Sequence, residues 1–381
     1  MKKVGILGST GSIGVNTLNV LENLYDIFEV KYLTANVNVD LLINQSLKYN
    51  PEIICIADDR LYKKLKNNLN TKVEILCGRE ALLYLAGSKS VDLCFNALVG
   101  GSGMEPTIKA LESGVDVALS NKESMVMAGD IINKISKSTG AKVLPVDSEH
   151  SAIWQCLMGE DIKNVNRLIL TGSGGPFRQK DLSDFKLITV EQALNHPTWK
   201  MGKKISIDSA TMMNKGFELI EAFWLFDINY EKIDIVLHPQ SIIHSMVEFI
   251  DGSIKSQMGN PDMKIPIQFA LTYPKRLNSD LEKFDFTSLS DLTFEAPSME
   301  KYPSIKLAYS ALKKAGTSCA AINLSNDIAV ELFLMNKISF NEIYELNNKV
   351  FELHEWLKNP LISDIVELEK WINDFYKTLI K

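Results

Sequence analysis

Over the first 150 positions, largely apolar runs fall at residues 4–7, 30–35, 52–57, 73–76, 91–98, 115–119 and 142–146. Short runs of this kind suit strands buried on both faces. Most are separated by segments of helix length, such as 59–69 and 106–113. After the first run, Thr17, Leu18, Leu21 and Leu24 share one helical face. A strand–helix series predicts a parallel, doubly wound sheet with ligands at the carboxyl ends of its strands. The pattern then changes. Residues 150–157 read as helix, 167–170 and 203–209 as strands, and a helix begins after residue 210 and ends near Phe226. Residues 235–240, 241–250 and 253–258 read as strands, the last two joined through Asp251-Gly252 as a hairpin. Residues 278–303 are loop-rich and charged, and four helical patterns follow at 304–315, 319–336, 340–356 and 362–379.

Composition narrows the class. With 381 residues, two or three domains are expected; 46% hydrophobic and 23% charged residues describe an ordinary globular protein. The net charge of −6 without a dense basic run argues against a nucleic-acid partner. Five scattered cysteines with no C-x-x-C pair suggest free thiols in a reducing compartment. The apolar run 4–7 is too short for a signal peptide, and no stretch is long enough to cross a membrane. The expectation is a cytoplasmic protein.

The first strand runs into Gly8-Ser9-Thr10-Gly11-Ser12-Ile13-Gly14 and then a helix. This is the context of a dinucleotide fingerprint, in a G-x-x-G-x-x-G variant. Glycines let the backbone approach a pyrophosphate, helix N–H groups meet its charge, and Ser9, Thr10 and Ser12 add hydroxyls. The alternative is a tight turn that needs glycine for packing only. The N-terminal unit is accordingly expected to be Rossmann-type. At the second strand's tip, Asn36-Val37-Asn38 contains no acid to repel a 2′-phosphate, which favours NADP over NAD, and no base to clamp one. Residues 99–103 and 120–124 form two further strand ends, the second carrying Lys122.

Pro145-Val146-Asp147-Ser148-Glu149-His150 ends the last of these runs. In an extended chain Asp147 and Glu149 point to one side, as two hard oxygen ligands for Mg²⁺ or Mn²⁺, or as a solvated turn. Residues 171–176, with Ser173, offer an anion nest. His196, Trp199 and Gly202 mark a loop that is either a lid over substrate or tucked against the core. Asn214, Lys215 and Glu218 share a helical face. Lys215 and Glu218 form either a surface ion pair or, with Ser209, a phosphate clamp and a third carboxylate for the metal.

These motifs, with His238-Pro239-Gln240-Ser241, occur in an order that resembles the 1-deoxy-D-xylulose 5-phosphate reductoisomerase family along the whole chain. The resemblance implies three parts: a Rossmann-type NADPH-binding domain at 1–149, an α+β catalytic domain at 150–277 with a lid near 195–203, and, after a linker at 278–303, a helical bundle at 304–381. It implies metal ligands at Asp147, Glu149 and Glu218, which with Lys122 form the catalytic group, and Mg²⁺, Mn²⁺ or Co²⁺ as the metal. Substrate contacts are implied at Lys122, Ser148, Glu149, Ser173, His196, Trp199, Ser209, Asn214, Lys215 and Glu218. NADPH contacts are implied at Thr10, Gly11, Ser12, Ile13, Asn36, Val37, Asn38, Asn121, Glu123 and Gly202. Many relatives read Gly-Lys-Asn where this chain has Asn36-Val37-Asn38. The implied activity is conversion of 1-deoxy-D-xylulose 5-phosphate to 2-C-methyl-D-erythritol 4-phosphate by a homodimer, with no nucleic-acid or membrane partner. Two other readings fit part of the pattern: a metal-free dehydrogenase of the homoserine or semialdehyde kind, and a non-catalytic NADP sensor.

Overall fold

The computed structural model describes residues 1–69, 72–199, 201–288 and 291–379. The chain groups into two compact units, each assembled from three stretches: Met1–Ser124, Asp130–Ser151 and Asp262–Leu281 in the first, Met125–Gly129, Ala152–Pro261 and Glu282–Lys381 in the second.

The first unit holds β1 (Lys2–Leu7), α1 (Ser12–Glu22), β2 (Phe28–Ala35), α2 (Val39–Tyr49), β3 (Ile53–Ile56), α3 (Tyr62–Asn68) and β4 (Glu74–Cys77). The chain continues through α4 (Gly78–Ala86), β5 (Leu93–Asn96), α5 (Met104–Glu112), β6 (Asp116–Leu119), α6 (Lys122–Thr139), β7 (Val143–Pro145) and α7 (Ser148–Leu157). The seven strands form one parallel sheet in the order β4-β3-β2-β1-β5-β6-β7. The expected doubly wound sheet is therefore present. Val4, Ile6, Leu33, Ile54, Phe95 and Val117 are fully buried, each contributing roughly 1.5–3 kcal/mol relative to exposure. The strand order reverses between β1 and β5, which opens a crevice at their carboxyl ends.

In the second unit β8 (Val165–Gly172) pairs parallel to β9 (Ile233–Leu237) and antiparallel to β10 (Ile243–Phe249), which continues to β11 (Ile254–Met258) through the expected hairpin. Its helices include α8 (Val190–Leu194), α9 (Lys203–Ala210) and α10 (Met213–Phe226). The next helix, α11 (Lys264–Thr272), groups with the first unit and packs on α1 and against β7. The four C-terminal helices follow as α12 (Pro303–Lys314), α13 (Ser318–Leu334), α14 (Phe340–Leu353) and α15 (Ile362–Leu379). Helix α13 packs against α9, α12, α14 and α15. Phe177, Phe185, Phe333 and Phe340 interlock edge-to-face in this core. Within 278–303, Glu295 pairs with Leu237 at the end of β9, and the Phe294 ring stacks on His238 at 4.8 Å.

Two sequence expectations are corrected here. Residues 203–209 are not a strand but α9: buried Ser206, Ile207 and Ala210 follow helical spacing, and Ser206 Oγ bonds back to Gly202 O at 2.9 Å. The Ile205-x-Ile207 alternation was too short to separate period 2 from period 3.6. Asp147 and Glu149 do not alternate along an extended strand either. The chain leaves β7 at Pro145 and turns into α7 at Ser148, so Glu149 lies in a first helical turn, where the helix dipole favours acids.

Candidate functional site

At the first β–α turn, Gly8 adopts φ +80, and a Cβ on Gly14 would fall 2.3 Å from Gly8 O. Only glycine at both positions closes the turn this tightly. Gly8 N donates to Thr34 Oγ1 at 3.0 Å and Ser9 N to Thr34 O at 2.8 Å, tying the turn to β2. The Ser9 hydroxyl is buried and donates to Gln45 Oε1 at 2.7 Å, so it is not a ligand donor as the sequence suggested. Thr10, Gly11, Ser12 and Ile13 remain partly or fully exposed, and no side chain caps α1. The leading N–H groups of α1 thus suit a pyrophosphate, and the cradle fits a dinucleotide.

Asn36, Val37 and Asn38 are exposed at the tip of β2, with Val37 58% exposed; Asn38 caps α2 by accepting from Leu41 N at 3.2 Å. Asn121 is a strut. Its amide donates to Leu98 O, Gly100 O and Glu123 Oε2 at 3.0, 2.9 and 3.1 Å, and its carbonyl caps α6. It fastens the 98–103 loop to the first turn of α6, which carries the buried Glu123.

Beside it, Lys122 Nζ lies 2.6 Å from Asp147 Oδ2, and His150 Nδ1 lies 3.8 Å from the same oxygen. Ser148 N donates to Asp147 Oδ1 at 3.0 Å, and the Ser148 hydroxyl donates to Glu149. The result is a half-buried pair of carboxylates at the N-terminus of α7 with a buried lysine against it. Its donors are all hard oxygens, a set that fits Mg²⁺ or Mn²⁺.

In the second unit, β8 ends in Gly172-Ser173-Gly174-Gly175, with φ +83 and +65 at the last two. A Cβ on Gly175 would sit 2.7 Å from Ser209 O. The imidazole of His196 defines its own tautomer. Its Nδ1 accepts from Thr198 N at 3.1 Å and Trp199 N at 2.9 Å, so Nε2 carries the proton and donates to Ser173 Oγ at 3.0 Å. Burial lowers the His196 pKa from the ordinary 6.5, which keeps the ring neutral. Ser173 Oγ also accepts from Gly175 N at 3.2 Å, leaving its own proton for an anion. Trp199 is half-buried and Gly202 exposed; Lys200 of the expected lid lies outside the described residues.

On α10, Asn214 Nδ2 donates to Glu218 Oε1 and Lys215 Nζ to Glu218 Oε2, each at 2.5 Å; Lys215 also donates to Thr171 O at 2.6 Å. The shared helical face read from the sequence is present. The Lys215–Glu218 pair is not on the surface: the side chains are 4% and 1% exposed. A buried ion pair gains little stability over an apolar replacement, which points to use rather than to packing. Sequence reasoning missed two supports of this region: the bond from Tyr302 OH to Gly174 O at 3.1 Å, and that from Asn326 to Asp208 at 2.6 Å. Tyr302 stands just ahead of α12 and Asn326 lies inside α13, and neither spacing nor motif tied them to the glycine loop or to Asp208.

A doubly wound sheet with an uncapped glycine turn, joined in one chain to a unit that gathers His196, Ser173 and a buried lysine, fits the class of nucleotide-dependent oxidoreductases. The family models agree and go further. The model for 1-deoxy-D-xylulose 5-phosphate reductoisomerase matches residues 4–129, that for its C-terminal domain residues 143–226, and that for the DXP reductoisomerase C-terminal domain residues 258–375. Among curated proteins, the 1-deoxy-D-xylulose 5-phosphate reductoisomerase of Thermoanaerobacter pseudethanolicus is 50% identical over 375 residues, 98% of each chain. That of Chloroherpeton thalassium is 49% identical over 370 residues, 97% of this chain and 96% of its own. The solved structure of the Zymomonas mobilis reductoisomerase in complex with NADPH is 42% identical with a TM-score of 0.94, covering 100% of this chain and 99% of that one. Another reductoisomerase structure, with NADPH, fosmidomycin and magnesium, is 38% identical with a TM-score of 0.94 over 100% and 98%. The chain belongs to the 1-deoxy-D-xylulose 5-phosphate reductoisomerase family.

Proposed function

We infer that this chain carries out the reaction its family is named for: NADPH-dependent conversion of 1-deoxy-D-xylulose 5-phosphate to 2-C-methyl-D-erythritol 4-phosphate in non-mevalonate isoprenoid biosynthesis. Identity of 49–50% along nearly the whole chain carries this conclusion. A metal-free dehydrogenase or an NADP sensor leaves the buried Asn214–Lys215–Glu218 group without a task.

The roles of individual residues follow from their surroundings. Ser173, through its free hydroxyl proton, Ser209, Asn214 and Lys215 bind the substrate phosphate, with His196 orienting Ser173. Lys215 donates to Thr171 O at the end of β8 and to Glu218, which holds its ammonium beside Gly172 and Ser173. Asp147, Glu149 and Glu218 hold the divalent cation, and Lys122 fixes the Asp147 carboxylate and faces the substrate with Ser148. When bound, the cation polarises the substrate's carbonyl and hydroxyl oxygens during skeletal rearrangement. NADPH, held at the glycine turn ahead of α1, would supply the hydride that reduces the rearranged product. Thr10, Gly11, Ser12, Ile13, Asn36, Val37, Asn38, Asn121, Glu123 and Gly202 shape the cofactor's place, and Trp199 covers the substrate and excludes water. Binding of the phosphate, remote from the reacting carbons, supplies orientation for the chemistry.

The proposed division of labour gives 1–149 to NADPH, with Asp147 and Glu149 at its end, 150–277 to substrate and the third metal ligand with the lid near 195–203, 278–303 to a linker, and 304–381 to a supporting bundle. We further propose a homodimer in the cytoplasm, with Mn²⁺ or Co²⁺ able to replace Mg²⁺. None of the helices among the described residues is long and apolar enough to cross a membrane. The decisive assay is NADPH oxidation with deoxyxylulose phosphate before and after exhaustive chelation. Activity should vanish with EDTA and return with Mg²⁺; turnover that survives complete metal removal sinks the mechanism.

A further inference from the structure

Asp208 sits in the last turn of α9, immediately before Ser209, and is buried. A buried carboxylate is costly unless it is fully partnered. Here Oδ1 accepts from Asn326 Nδ2 at 2.6 Å, and Oδ2 lies 3.2 Å from Lys204 Nζ, which is also 2.9 Å from Asp327 Oδ1. The chain of bonds then runs into the bundle. Asn326 Oδ1 accepts from Asn347 Nδ2 at 2.9 Å, Asn347 Oδ1 accepts from Ser325 Oγ at 2.8 Å, and Tyr376 OH lies 2.8 Å from Ser325 Oγ. Asn326, Ser325, Asn347 and Tyr376 are all buried. Four helices, α9, α13, α14 and α15, thus meet through one satisfied polar path rather than through apolar packing alone.

We propose that Asp208 is a positioning residue for the phosphate end of the site, held in register by Asn326. This rests on the assignment of Ser209 to phosphate binding made above. A satisfied buried network contributes one defined arrangement rather than bulk stability. What it defines is local to Ser209. Thr211 Oγ1 bonds back to Asp208 O at 3.2 Å, Met212 N donates to Ser209 O at 3.2 Å, and Gly175 lies against that same carbonyl. One residue later α10 begins, with Asn214 and Lys215 in its first turn. A displacement of Asp208 therefore moves Ser209 against the Gly174–Gly175 loop and changes the entry into α10. The bundle, which shows no catalytic motif of its own, sets the geometry of the anion cradle.

The test compares wild type, N326D and the exchanged pair D208N/N326D, each loaded with NADPH. The readouts are the Kd for inorganic phosphate, the KM and kcat for deoxyxylulose phosphate, the NADPH Kd and the melting temperature. In N326D two carboxylates face each other, and phosphate Kd and substrate KM are expected to rise at least tenfold while NADPH Kd stays within twofold. The exchange puts the amide on α9 and the carboxylate on α13, restores the bond with donor and acceptor reversed, and should bring phosphate affinity back to within threefold. Unchanged phosphate affinity in folded N326D overturns the proposal. So does an exchange that recovers the melting temperature without the phosphate affinity. If N326D does not fold, N326A gives the same reading, with at least threefold weaker phosphate binding expected and wild-type binding overturning it. Wild-type protein without affinity for deoxyxylulose phosphate fails the functional assignment instead, a different result from any of these.

Discussion

Glu218 spends both carboxylate oxygens on its own helix, one on Asn214 and one on Lys215, while nearly inaccessible to solvent. Those contacts fix its orientation before any ligand arrives, so the Glu218→Gln variant should retain shape and lose charge. Its kcat is expected to fall by about 10²–10³-fold, with NADPH affinity by fluorescence titration unchanged; a loss confined to NADPH affinity would move Glu218 out of the metal centre. His196 gives a prediction in pH. Its folded pKa is lowered by burial, so as pH drops the unfolded chain binds the proton first. The contribution is complete above the ordinary value of 6.5 and is lost as pH falls through the window below it. His354, also lowered by burial, adds to the slope. Melting temperature measured from pH 7 to pH 5 should therefore decline, and less steeply in His196→Gln. The His196→Ala variant, in which Ser173 loses its donor, should also raise substrate KM.

Among the elements, the glycine turn ahead of α1 permits the sharpest test. A Cβ at residue 14 has no room beside Gly8 O, and the obstruction is backbone rather than a movable side chain. Gly14→Ala should weaken NADPH binding at least tenfold by titration while the phosphate Kd is unaffected. The N-terminus of α14 offers a stability test distant from any chemistry. Ser339 and Glu342 form a reciprocal capping box, so Ser339→Ala should cost about 1 kcal/mol in denaturant unfolding without altering kcat. The strands of the first sheet were legible as short apolar runs between helix-length segments, and the four bundle helices because each buries a long periodic face. Helix α9 was not: its eight residues carry lysines, serines and an aspartate whose burial depends on α10 and α13. The acids at 147 and 149 were legible as a pair, but their placement was misread because a strand end and a helix start look alike over three residues. Asn326 was invisible for another reason: a polar residue in a helix reads as surface until its distant partner is known.

In the whole molecule, no stretch of sequence corresponds to the first unit. It closes only when Asp262–Leu281 joins Met1–Ser124 and Asp130–Ser151. The returning helix α11 buries Ile267, Phe269, Ala270 and Leu271 and covers α1 and one side of β7. A fragment ending at residue 151 leaves that apolar surface bare and should aggregate, whereas the same fragment with a peptide spanning 262–281 should remain monodisperse by light scattering. The same architecture bears on biosynthesis. At ~5–20 residues per second, the nascent sheet emerges roughly ten seconds before the helix that seals it. During that interval the half-built nucleotide fold is a natural client for a holdase, and codons between the two segments set how long the exposure lasts.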